Sequence, residues 1–337
     1  MSAPRPAIAP SQAPSPAQVE AARAALGERI RETPVWEWRS ETLCEALGAS
    51  AQVFLKLELF QVTGTFKARG AISVVDALPA EERARGLVTV SAGNHALATA
   101  YAARAAGTTA KVVMPRSANA ARVAGSRALG AEVILVDTVH DAFAEARRLQ
   151  REEGRAFVHP FEGPGITLGT ATVGLEMHRQ LPELDAVVVP VGGGGLASGV
   201  ASYLKQVRPA LQVWGVEPEG ADTMSRSFAA GEPCGIDAVR TIADSLAPPA
   251  AEAFSFALCR NYLDGLVRVS DTALRRAMRL LFTEMKLAVE PAGAAATAAL
   301  LGPLAERLAG KRVALVVCGA NIDPESFHKH LAAADAD

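Results

Sequence analysis

The 337-residue chain is half hydrophobic, only 5% aromatic, rich in Ala and Gly, and carries a formal net charge of −2. That is enough for one large or two moderate domains with a real core, and it excludes a broad basic surface for nucleic acid. Cys44, Cys234, Cys259 and Cys318 follow no CxxC spacing, which argues for a reducing cytoplasm and against a disulfide scaffold or zinc site.

Residues 1–17, dominated by Pro, Ala and Ser, read as a disordered tail without the apolar stretch of a signal peptide. No apolar run is long and uninterrupted enough for a membrane span. A helix is expected over 19–30, an extended segment over 33–35, and a short helix over 40–47 stopped by Gly48. Over 53–60, Val53, Leu55, Leu57 and Leu59 alternate with Lys56 and Glu58, a strand signal. The tight loop TGT at 63–65 follows, and a helical period begins at Phe66. Lys67 therefore lies where a strand hands over to a helix. The partial positive charge of a helix start favours the neutral amine, and a neutral lysine is a nucleophile toward aldehydes. Alone, this stretch reads as a solvated lysine at a helix start.

Further on, strands are expected at 87–90, 110–114, 132–136 and 157–159. They alternate with helices at 95–106, 118–129 and 141–153, and Gly107, Gly130 and Gly154 stop those helices. The alternation then continues with helix 167–180, strand 186–191, helix 196–207, strand 213–216 and helix 222–230. Residues 231–249 read as irregular. Helix 250–261, strand 266–269, helix 271–285, helix 291–308 with a Gly302-Pro303 interruption, and strand 313–317 complete the order. This is an α/β chain of two open parallel-sheet domains with helices on both faces. The small domain is expected at 89–159, inserted between 18–88 and 160–337 of the large one.

In such sheets ligands bind where strands end. The strand-end loops are those of Lys67, of Ser91-Ala92-Gly93-Asn94-His95, of Gly192-Gly193-Gly194-Gly195, of Glu217, and of Cys318-Gly319-Ala320-Asn321. The four glycines between a strand and a helix make a row of free amides that suits phosphate. Gly192-x-Gly194-x-x-Ala197, with Glu217 about 20 residues on, also fits a dinucleotide fingerprint. On that segment the two readings are close.

Together, TGTFKARGA, SAGNHA, PVGGGGLASG, EPAGAA and CGAN resemble, in order, the motifs of the fold-type II pyridoxal-phosphate enzymes, which include threonine and serine dehydratases. The resemblance covers nearly the whole chain and displaces the dinucleotide reading. It implies that Lys67 holds pyridoxal phosphate as an imine and that Phe66 packs on the ring. Asn94 would bond the ring hydroxyl, and Gly192, Gly193, Gly194 and Gly195 would bind the phosphate. Glu290 belongs to the same cofactor set, and Cys318 would face the pyridine nitrogen. Ser91, Ala92, Gly93 and His95 would form the substrate-carboxylate loop. The implied reaction is α,β-elimination from a 3-hydroxy amino acid, threonine or serine first, giving a 2-oxo acid and ammonia. Alternatives are a bulkier or acidic substrate such as phenylserine or 3-hydroxyaspartate, a racemase or β-replacement enzyme, or a binding protein for a phosphorylated ligand. Ala92 stands where racemases carry a serine, which disfavours racemisation. Glu217 with Ala221 resembles a cation site, but Thr223 replaces its further acid, so no metal is expected. Ser245 stands where many relatives have glycine. Relatives imply a homo-oligomer, a dimer or tetramer.

Overall fold

The computed structural model describes residues 13–335. Most of the tail expected to be disordered lies outside that range. Pro16 and Ala17, counted with it, are already helical: Ser15 and Gln18 form a reciprocal capping box that starts the helix Pro16–Leu26.

Ten strands form two sheets: β1 (Val35–Trp38), β2 (Gln52–Lys56), β3 (Leu87–Val90), β4 (Ala110–Pro115), β5 (Glu132–Val136), β6 (Ala156–Phe157), β7 (Ala186–Pro190), β8 (Gln212–Pro218), β9 (Gly265–Val269) and β10 (Arg312–Val316). The larger sheet runs β1-β2-β10-β7-β8-β9 and the smaller β5-β4-β3-β6. Every strand pair is parallel except β1 with β2, where Val35 faces Lys56 and Trp38 faces Val53. The central strands β7 and β10 are buried and almost wholly apolar, as strands covered on both faces must be. A seam at residue 88 would cut β3, all of which pairs within the smaller sheet, so we place it before Leu87.

The strand expected over 53–60 stops at Lys56. Residues Glu58–Phe60 turn as a short 3-10 helix. The charged residues that mimicked a solvated face are in fact buried. Lys56 Nζ donates to Glu176 at 2.7 Å and to the Thr33 carbonyl at 2.8 Å. Arg69 reaches Glu58 and Glu176 through its Nε and both terminal nitrogens. Burial works against the charge on Arg69, yet Glu58 and Glu176 hold its pKa above the ordinary value. For Lys56 burial dominates and lowers the pKa. Such a cluster adds little net stability over a packed apolar core, but stranding one member is expensive.

Two short helices were not anticipated, Ala80–Arg85 and Pro324–Ala332. The second follows Cys318-Gly319-Ala320-Asn321 and is capped by Asp323, which accepts from the Ser326 amide at 2.8 Å. Among the described residues no helix is long and apolar enough to cross a membrane.

Candidate active site

Lys67 opens the helix Lys67–Ala77. The loop before it is stitched to the end of β10: Thr65 bridges Gly319, and the Phe66 amide donates to the Cys318 carbonyl. Lys67 Nζ donates to the Pro160 carbonyl at 2.5 Å. Burial brings its pKa down to about 8, although Cys318 and Glu290 oppose the shift. Desolvation, more than the helix start, is what favours the neutral amine.

Asn94 begins the next strand-end helix, Asn94–Ala105, and its carboxamide ties three loops together. Its Nδ2 donates to Glu290 Oε1 at 2.7 Å and to Ser245 Oγ at 3.2 Å, and its Oδ1 accepts from Asn321 Nδ2 at 2.8 Å. Glu290 is buried, and its second oxygen has no partner. Burial, with Asp244 adding to it, pushes the Glu290 carboxyl up to about 7. The buried Cys318 thiol is pushed well above its ordinary pKa by burial and then by Glu290, so it is a neutral, weakly polar group.

The four glycines lie between β7 and the helix Gly195–Val207. Gly194 has φ +90°, in the left-handed region. A Cβ on Gly193 would meet the Phe161 ring at 2.2 Å, and one on Gly195 the Phe161 carbonyl oxygen at 2.5 Å. Among the described residues, none of the amides of Gly192, Gly193, Gly194 and Gly195 has a hydrogen-bond partner. Unpaired amides at a helix start make an anion cradle.

The predicted residues converge on two adjoining spaces. Phe66, Lys67, Asn94, the four glycines, Glu290 and Cys318 line a slot of about 30 Å³. Lys67 and Asn94 also line a cavity of about 280 Å³ with Ser91, Ala92, Gly93 and His95. Lys67, Asn94, Phe161, Gly193 and Ser245 belong to both walls, so the two spaces adjoin. The donor set suits a ligand with an anionic end, a polar ring substituent and an electrophile within reach of Lys67.

His95 sits less freely than its neighbours. Its Nε2 lies 3.0 Å from the Val158 carbonyl. That contact assigns the proton to Nε2 and leaves Nδ1 as the lone pair, which is buried without a partner. Burial brings the pKa down to about 3, so the ring is neutral.

Glu217 does not face either space as a free ligand. Its Oε1 accepts from the Met224 amide at 2.8 Å, and its Oε2 from the Ser225 amide at 2.7 Å and the Ser225 hydroxyl at 2.6 Å. It thereby satisfies first-turn amides of the helix Thr223–Ala230, whose N-cap position is Asp222. Among the described residues no group of three or more His, Cys, Asp or Glu side chains is placed to hold a metal ion.

Sequence reasoning missed Arg122, Asp244, Pro160, Phe161 and Phe143, all lining the larger cavity. Arg122 pairs with Asp244 at 2.5 Å and donates to the Asn321 carbonyl at 3.3 Å. None of these carries a local motif. Their place is set by tertiary packing alone.

A family model described as pyridoxal-phosphate dependent enzyme matches residues 26–319. The chain is 52% identical over 309 residues to the phenylserine dehydratase of Ralstonia pickettii, covering 92% of this chain and 94% of that one. It is 41% identical over 285 residues to the L-threonine ammonia-lyase of Thermotoga maritima, covering 84% of this chain and 70% of that one. Among solved structures, maize serine racemase superposes with a TM-score of 0.88 at 34% identity, over 95% of this chain and 98% of that one.

Proposed function

The chain belongs to the family of pyridoxal-phosphate dependent enzymes, and from that premise we propose that it is a hydroxy-amino-acid ammonia-lyase. It removes the Cα proton and the C3 hydroxyl of a 3-hydroxy amino acid, and the products are a 2-oxo acid and ammonia. The site residues support this reading. Lys67 would hold the cofactor through its amine. The amides of Gly192, Gly193, Gly194 and Gly195 would take its phosphate, Asn94 its ring hydroxyl, and Phe66 one face of the ring. Glu290 offers an oxygen without a partner beside Asn94. When bound, pyridoxal phosphate supplies an electron-accepting ring that acidifies the Cα proton.

The rest is done by this chain. Lys67 Nζ accepts the Cα proton, and burial is what keeps enough of it neutral near pH 8. The loop Ser91-Ala92-Gly93 holds the substrate carboxylate in the cavity that opens onto Lys67. Cys318 would face the ring nitrogen with a protonated thiol, a weak hydrogen-bond partner that would not fix a proton there as a carboxylate would. With the cofactor bound, that would limit the pull on electrons and favour prompt loss of the C3 hydroxyl over slower competing outcomes. Ala92 has no side-chain proton to exchange, so it cannot supply the second acid–base group that inversion at Cα requires.

The observation that carries the proposal is the buried, pKa-lowered amine of Lys67 shared by an amide cradle and a substrate-sized cavity. The purified protein should absorb in the visible, lose that band on borohydride treatment, and release 2-oxo acid from 3-hydroxy amino acids. Lys67→Ala should lose both the band and the activity. Turnover retained by Lys67→Ala would refute the assignment.

A further inference from the structure

The larger cavity is lined by polar and apolar groups together. Lys67 and the turn Ser91-Ala92-Gly93-Asn94 are the part assigned above to the reacting end of a substrate. Phe143, Ala247, Pro248 and Pro249 contribute an apolar stretch of the same wall. No core demands that stretch. Phe143 is 36% exposed in the helix Val139–Glu153, whose buried residues face the small sheet. An aromatic ring held at the rim of a cavity, with water on its other side, is suited to a ligand rather than to folding.

Apart from Lys67, the charged side chains that line the same cavity are paired with each other. Arg122 is paired with Asp244 at 2.5 Å, so a second substrate carboxylate would meet no free cation there. His95 is neutral and bonded to the Val158 carbonyl. A C3 methyl would leave most of the apolar wall facing water. A flat aromatic substituent would cover it.

Resting on the lyase reading, we infer that Phe143, which lines the cavity together with Pro248 and Pro249, receives an aryl group on C3. Aryl-substituted 3-hydroxy amino acids are then the preferred substrate class, and Phe143 is the residue that sets the preference.

The test compares kcat/KM for threo-phenylserine, threonine and threo-3-hydroxyaspartate on the cofactor-loaded enzyme. The unmodified protein should prefer phenylserine to both others. In Phe143→Ala the phenylserine-to-threonine ratio should fall by about ten-fold, and in Phe143→Tyr, which keeps the ring, it should return. Val139→Ala is the control. Val139 is 55% exposed in the same helix and does not line the cavity, so its ratio should match the unmodified protein. A preference for threonine or hydroxyaspartate, or a ratio that Phe143→Ala leaves unmoved, overturns the inference while the lyase reading stands. Turnover of none of the three by a protein carrying the cofactor overturns both.

Discussion

A buried carboxylate with one oxygen satisfied and the other orphaned is an unstable arrangement unless its proton is useful. Glu290 is that group: Asn94 serves Oε1, Oε2 has nothing, and burial has raised the carboxyl to about 7. The sign of its effect on folding follows. Between its ordinary value of 4.5 and about 7, the folded chain keeps a proton that the unfolded chain has lost. Stability therefore falls as pH rises through that window and stays reduced above it. Glu290→Gln removes the penalty while keeping an oxygen for Asn94. Measured by urea unfolding at about pH 5 and about pH 8, the difference between variant and unmodified apoprotein should shift in favour of the variant by on the order of 2 kcal/mol. Parallel pH profiles would show that Glu290 ionises as an ordinary carboxylate. At this scale the sequence revealed residues whose chemistry is fixed by their neighbours in the chain. Lys67 and the four glycines each sit in a motif at a strand end. Arg122 and Asp244 do not, because each is placed by a partner far along the chain, and Phe143 lies in no motif.

Elements were legible where a local signal stops them. Gly48 and Gly154 end helices at the expected places, and β3 and β5 match their expected spans. The signal failed where tertiary packing overrode it. Lys56 and Glu58 alternate like a solvated strand face, yet Glu176 and Arg69, contributed by two other elements, allow them to be buried. The edge strand β1 pairs antiparallel, which no pattern within four residues records. The same packing sets how Lys67 is carried. Its helix crosses Pro164–Gln180 with backbones nearly touching: a Cβ on Gly169 would lie 2.3 Å from the Arg69 carbonyl oxygen and 2.6 Å from Gly70 Cα. Backbone on both sides cannot swing away as a side chain would. Gly169→Ala should cost about 1–3 kcal/mol or more. By pushing on the first turns of the lysine helix, it should also weaken cofactor retention during dialysis. A variant with unchanged Tm and full retention would mean that the two helices separate freely.

The order β-α-β-α predicted parallel sheets, but not which strands would be neighbours, since β2 joins β10 across most of the chain. That arrangement puts the candidate cleft between the two sheets, and polar ties cross its mouth. Arg122, from the helix Ala120–Ala128, reaches Asp244 and the Asn321 carbonyl across it, and Asn119 reaches Asp323 at 3.0 Å. Arg122 is 15% exposed and Asp244 58%, so the pair lies at the rim and contributes no more than about 1 kcal/mol to folding. The effect expected of it is on the cleft, where Arg122 and Asp244 both line the proposed substrate cavity and tie its walls together. Arg122→Ala should therefore raise KM several-fold while leaving Tm nearly unchanged. Salt supplies the independent check. Raising ionic strength from about 0.05 M to about 0.5 M shortens the Debye length several-fold, which weakens the Arg122–Asp244 tie in the unmodified enzyme and has no such tie to weaken in the variant. The unmodified KM should climb more steeply with salt than that of Arg122→Ala. Equal slopes, with KM unmoved by the substitution, would place the closure of the cleft elsewhere.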